Sequence, residues 1–124
     1  MNWELFFVSS GIWTFFGFHF IFAGRVKQMA EAGVPVEVDG NPMLLASKVM
    51  SQLAIFNILA FSVAYGIYVS WWQAGVILVG GYAASLIFAL ITRGPTYDSL
   101  LNPMHKLGWL ALPALSIALW AIAF

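Results

Sequence analysis

Four long apolar runs, separated by connections that hold most of the charge, limit what this chain can fold into more than any other feature. They cover about residues 5–23, 43–69, 74–92 and 104–124. Each is close to the roughly 20 residues an α-helix needs to cross about 30 Å of hydrocarbon. A transmembrane β-strand would alternate over about 10 residues, and these runs are continuous. Of the 124 residues, 62% are hydrophobic and 8% charged, where a soluble domain carries about a quarter charged. So little polar surface cannot cover an aqueous fold. The expectation is an all-α, integral membrane four-helix bundle of a single domain, with the lipid bilayer as its solvent.

Basic residues orient such a bundle. Arg25, Lys27 and Lys48 flank the first connection, and Arg93 and Lys106 flank the third. The second connection, Ser70-Trp71-Trp72-Gln73, has no charge, and the N-terminal end offers only Glu4. All Lys and Arg thus fall on one side, the cytoplasmic one by the positive-inside rule, which predicts N-out/C-out topology. Trp3, Trp71, Trp72 and Trp120 gather at the opposite interface, as an aromatic belt does. The first apolar run follows Glu4 with no basic segment before it, so it reads as a retained helix and not a cleaved signal. A bacterial inner membrane fits this pattern.

The first connection is the longest. Gln28 to Ala32 can prolong helix one until Gly33 and Pro35 stop it, and Asp39-Gly40-Asn41-Pro42 forms a turn before helix two. In the third connection Pro103 suits the first turn of helix four. Small residues mark seams where helices can approach closely: Ser10, Thr14, Gly17 and Gly24; Ser47, Ser51, Ala54 and Ser62; Gly80, Gly81, Ala84 and Ser85; Ala111, Ala114, Ala118 and Ala121. Pro113 removes a donor in the middle of helix four.

Zero formal net charge argues against a nucleic-acid partner, whose binding rests on phosphate neutralisation. Without cysteine there is no thiolate metal site or thiol nucleophile. His19 and His105 fall at similar depth, as a bis-His haem site requires, but no carboxylates support them, and interfacial or locally bonded imidazoles explain both; no metal site is predicted. No acid lies within a span, which disfavours a proton-coupled pump. Lys48 and Gln52 share one helix face, and Arg25, Arg93 and Lys106 end or begin the other spans. As a group they can ring an anionic ligand, with Tyr97 nearby as a donor; singly, each is explained as a stop-transfer charge that snorkels to headgroups.

The topology and these basic positions resemble the MAPEG superfamily, the membrane-associated proteins of eicosanoid and glutathione metabolism. Lys48-Val49-Met50-Ser51-Gln52 lies where that family has Arg-x-x-x-Asn on helix two, and Arg25, Arg93 and Lys106 lie where its basic residues help hold glutathione. Lys48 and Gln52 replace the usual Arg and Asn, Ile55 stands where an acid is usual, and the proline that follows is absent. The resemblance spans nearly the whole chain. It implies a homo-oligomer, a trimer, with cytoplasm-facing clefts that bind glutathione or a lipophilic anion at Arg25, Lys48, Gln52, Arg93 and Lys106; Tyr97 joins these candidates by its place near Arg93. If the protein is an enzyme, a cation there stabilises a thiolate. The alternatives are a non-enzymatic accessory subunit or assembly factor of a larger membrane complex and, third, a small transporter or channel with a path through Thr14, His19, Ser51 and Asn57.

Overall fold

The computed structural model describes residues 2–33 and 42–124, leaving out the side chains at 26, 29, 30, 42–47, 95, 97, 98, 101, 102 and 105. Four long helices make up the fold, each with a stretch apolar enough to cross a membrane: Trp3–Arg25, Lys48–Tyr68, Trp71–Ile91 and Lys106–Ala123. In lipid each backbone N–H and C=O must be satisfied within its own segment, and helices do this.

The first helix, α1 (Trp3–Glu31), starts where the Glu4 N–H donates to Asn2 Oδ1 at 3.1 Å, a side-chain cap for an otherwise free donor. It runs two turns past its apolar stretch and stops at Gly33, whose φ of 79° closes the last turn in the left-handed region. That is the extension and the stop expected from Gln28 to Gly33. The turn expected at Asp39 to Asn41 lies outside the described residues.

The second helix, α2 (Pro42–Tyr68), is joined to the third by a tight turn. The N–H groups of Val69 and Ser70 both donate to the Tyr65 carbonyl, at 2.9 and 3.0 Å. The Trp71 ring lies directly on Gly66, where any Cβ would collide with it. The third helix, α3 (Trp71–Ile91), begins three residues earlier than the apolar run suggests, because the two tryptophans are part of its first turn. It contains a π-helical turn, Val76–Gly80.

The fourth helix, α4 (Pro95–Ala123), departs most from the sequence expectation. It starts after Gly94, which takes φ 90°, with Pro95 in its first turn. Pro103 is therefore inside the helix and not at its start. The carbonyl that Pro103 leaves without a donor lies before the membrane-crossing part, Lys106–Ala123, where water can solvate it. This helix carries the apolar run and is longer.

Helix α1 packs along α4 and, on its other side, along α3, while α4 also packs along α2. The first half of α3 reaches α2, and its second half rests on α1. A core of Leu5, Ile12, Ala54, Ile58, Phe61, Tyr65, Ala74, Ile77, Leu112 and Leu119 runs from the α2–α3 turn past the middle of the bundle. A small cluster around Phe18, with Ile21, Phe22, Ala89, Leu100 and Met104, fills the half that carries the basic residues.

The seams were partly as expected. Ser51, Ala54, Ser62 and Gly81 are buried. Gly81 sits against Ser9 and the Ser10 backbone, and Gly80 against the Phe6 ring. On α1, however, Leu5, Ser9 and Ile12 form the seam, while Gly17 and Gly24 face open space. On α4, Ala114 and Ala121 are exposed, and Gly108, Leu112 and Leu119 are buried in their stead.

Candidate functional site at the basic end

Arg25, Lys48, Arg93 and Lys106 all fall at the end of the bundle opposite the α2–α3 turn, since each begins, ends or directly follows a span. All four are exposed, and so is Gln52. Ser51 next to it is buried, so the Lys48–Gln52 face of α2 points away from the bundle interior. The chain thus assembles the predicted cations at one end, with their side chains exposed. The side chain of Tyr97 lies outside the described residues.

The polar groups deeper in the spans serve helix contacts. Thr14 Oγ1 donates to the Ser10 carbonyl at 2.7 Å and Ser62 Oγ to the Ile58 carbonyl at 2.8 Å, each within its own helix. Asn57 joins α2 to α4: its Nδ2 donates to the Ser116 carbonyl at 3.4 Å, and its Oδ1 accepts from Trp120 Nε1 at 2.9 Å. Trp120, expected as a belt anchor, is therefore also a helix link. Ser9 Oγ donates to the Ile77 carbonyl at 2.8 Å across α1 and α3. Ile77 belongs to the π turn, where the Gly81 N–H reaches both the Ile77 and the Leu78 carbonyls. His19 is buried, and the side chain of His105 lies outside the described residues. Ser51 Oγ and Trp13 Nε1 are buried with no hydrogen-bond partner.

One feature at the basic half was not anticipated. A groove of about 420 Å³ runs between α1 and α3, lined by Trp13, Thr14, Gly17, Phe18, Phe20 and Ile21 on one side and by Tyr82, Ser85, Leu86, Phe88 and Ala89 on the other. The rings of Trp13 and Tyr82 meet edge to face at 5.1 Å, and those of Phe18 and Phe88 at 6.3 Å. Phe20 and Leu86 are exposed along it. Gly17 was the sequence signal for this groove, but a glycine in an apolar span reads equally well as a close helix contact. Only the pairing of α1 with α3 separates the two.

Comparison of the chain with protein-family models, with curated proteins and with solved structures gives no match.

Proposed function

We propose that the protein binds a lipophilic anion, glutathione or a related thiolate, at its basic end as a MAPEG-like homo-oligomer. The observation that carries this is the outward exposure of Arg25, Lys48, Gln52, Arg93 and Lys106 together at one end. A cation that faces away from its own bundle can complete a cleft with a second protomer, and guanidinium and ammonium groups at a partly dry interface stabilise a thiolate over a thiol. The bias of Lys and Arg to this end supports a cytoplasmic position for it, with both termini outside, in an inner membrane. Adding glutathione to the purified protein should then raise the ultraviolet absorbance of the thiolate. The double variant Arg93→Ala/Lys106→Ala should lose most of that signal. An unchanged spectrum, or equal signals from the two proteins, overturns the proposal.

A second reading, an accessory subunit of a larger membrane complex, is favoured by one feature of α4. Leu107, Leu110, Ala114, Ile117 and Ala121 are all exposed and repeat at the spacing of a coiled-coil seam. Ala114 and Ala121 would let another helix approach closely. Native mass spectrometry after mild extraction decides between the two: a homotrimer alone supports the first, and a stoichiometric foreign subunit the second.

A further inference from the structure

We infer that the groove between α1 and α3 holds one acyl chain of a net-anionic phospholipid, whose phosphate rests on Arg25 and Arg93. This inference shares Arg25 and Arg93 with the thiolate proposal but does not rest on it, since its groove belongs to a single protomer.

The register of the two helices carries it. Ser9 and Ile77, joined by their hydrogen bond, are 68 positions apart. Adding the same 68 to Thr14, Phe18, Ile21 and Arg25 gives Tyr82, Leu86, Ala89 and Arg93. The first three of each set line the groove. Thr14, Phe18, Ile21 and Arg25 step by four, three and four along one face of α1. Tyr82, Leu86 and Ala89 step by four and three along one face of α3, which ends at Ile91, two residues before Arg93. Arg25 therefore stands one turn beyond Ile21 on the groove's α1 stripe, and Arg93 follows the end of α3 at Ile91, so both arginines lie just past the groove's basic end.

The dimensions suit one leaflet. The span of α1 is Trp3–Arg25, so Trp13 lies near its midpoint, and the groove runs from there to Ile21. That is about 12 Å along the axis, with Arg25 about 6 Å further on, at 1.5 Å per residue. Together they approximate half of a hydrocarbon core of about 30 Å. A lipid of this leaflet, placed with its chain in the groove, thus brings its phosphate to the level of the arginines.

The chemistry of the walls agrees. The groove's polar side-chain groups are the Trp13 indole N–H and the hydroxyls of Thr14, Tyr82 and Ser85; those of Thr14 and Ser85 are occupied by carbonyls of their own helices at 2.7 Å, and the rest of the lining is hydrocarbon. No carboxylate lines the groove. A Cβ built at Gly17 meets nothing within 4 Å, so the space beside it is open to a guest. Guanidinium groups present forked donors that match phosphate oxygens.

The test uses the full chain in an uncharged detergent, titrated with phosphatidylglycerol or phosphatidylcholine bearing brominated chains. The readout is the bromine quenching of tryptophan fluorescence, taken as the difference between the protein and its Trp13→Phe variant. Phosphatidylglycerol should quench Trp13 saturably and at lower concentration than phosphatidylcholine. Arg25→Gln and Arg93→Gln should each weaken that preference about fivefold, the worth of one basic residue at an anionic lipid surface. Gly17→Leu, which puts a branched side chain in the groove at a position whose Cβ meets nothing within 4 Å, should abolish saturable quenching by both lipids. Equal quenching by the two lipids in the parent protein, or unchanged quenching in Gly17→Leu, overturns the inference. The arginine variants alter exposed side chains and stand as a separate arm if the leucine variant does not fold. Thiolate absorbance in Gly17→Leu keeps the two proposals apart, because it should persist there.

Discussion

The two halves of this bundle are built differently, although both are apolar throughout. Near the α2–α3 turn, Phe61 is enclosed by the rings of Tyr65, Trp120 and Phe124 at 5.6, 5.4 and 6.4 Å, and Gly80 and Gly81 bring α3 against α1. Near the basic end, one fully buried ring, Phe18, anchors a cluster of partly buried neighbours, and a groove opens beside it. In lipid there is little hydrophobic drive to press helices together, so close packing and hydrogen bonds must do it. The half that packs densely holds the fold. A groove of about 530 Å³ also lies on the outside of the dense half, beside Tyr68, Trp120 and Phe124, but Phe61 does not line it, whereas Phe18 lines the groove of the basic half.

The largest effect that follows sets Phe61→Ala against Phe18→Ala. Both rings are fully buried, so burial alone predicts equal losses. Removing Phe61 leaves an enclosed void and should cost about 3 kcal/mol. Phe18 also lines the groove, so a lipid or detergent chain can enter the space its ring vacates, and its loss should cost about half as much. Unfolding of the two variants in micelles checks this. Equal losses would erase the contrast between the halves.

A comparison of glycines sharpens it at smaller magnitude. A Cβ at Gly81 would lie 3.0 Å from Ser9 Cβ and 3.1 Å from the Ser10 nitrogen and would collide with Ser9 Oγ. Gly81→Ala must therefore push α3 from α1 and strain the Ser9–Ile77 bond, at about 2 kcal/mol, the range for overpacking. Gly17→Ala, with nothing near its Cβ, should stabilise by up to about 1 kcal/mol through helix propensity. The same substitution on adjacent helices thus changes sign with the half it falls in. Thermal unfolding in one detergent measures both.

These contrasts also show what the amino-acid order could reveal. The spans, the end of α1 at Gly33 and the common end of the cations were legible, because charge and helix-stopping residues mark the bilayer boundary whatever the packing. Which face of a span is buried was not, because in lipid the outward face is as apolar as the inward one. Hence Ala114 and Ala121 marked a seam without showing that it lies outside this bundle, where both are exposed, and Gly17 looked like a contact and faces a groove. Pro103 looked like a helix start, but Gly94 and Pro95 provide one earlier. For the candidate site, the residue types at the basic end were readable; that Lys48 and Gln52 turn outward, and that a groove between α1 and α3 leads toward Arg25 and Arg93, required the helix pairing.

The smallest expected effect concerns the polar link between α2 and α4. Asn57 accepts from Trp120 Nε1 at 2.9 Å and donates to the Ser116 carbonyl at 3.4 Å, which invites the view that it clamps the dense half. Interhelical hydrogen bonds within membranes average about 0.6 kcal/mol, because a separated helix finds other partners for the same groups. Asn57→Leu and Trp120→Phe combined in a double-mutant cycle should therefore couple by about 0.6 kcal/mol. Trp120→Phe alone should cost more, because the indole also packs edge to face on Phe61 at 5.4 Å. A coupling of several kcal/mol would mean that hydrogen bonds, and not ring packing, hold this half together. A coupling near the average leaves the dense half resting on Phe61 and its ring neighbours.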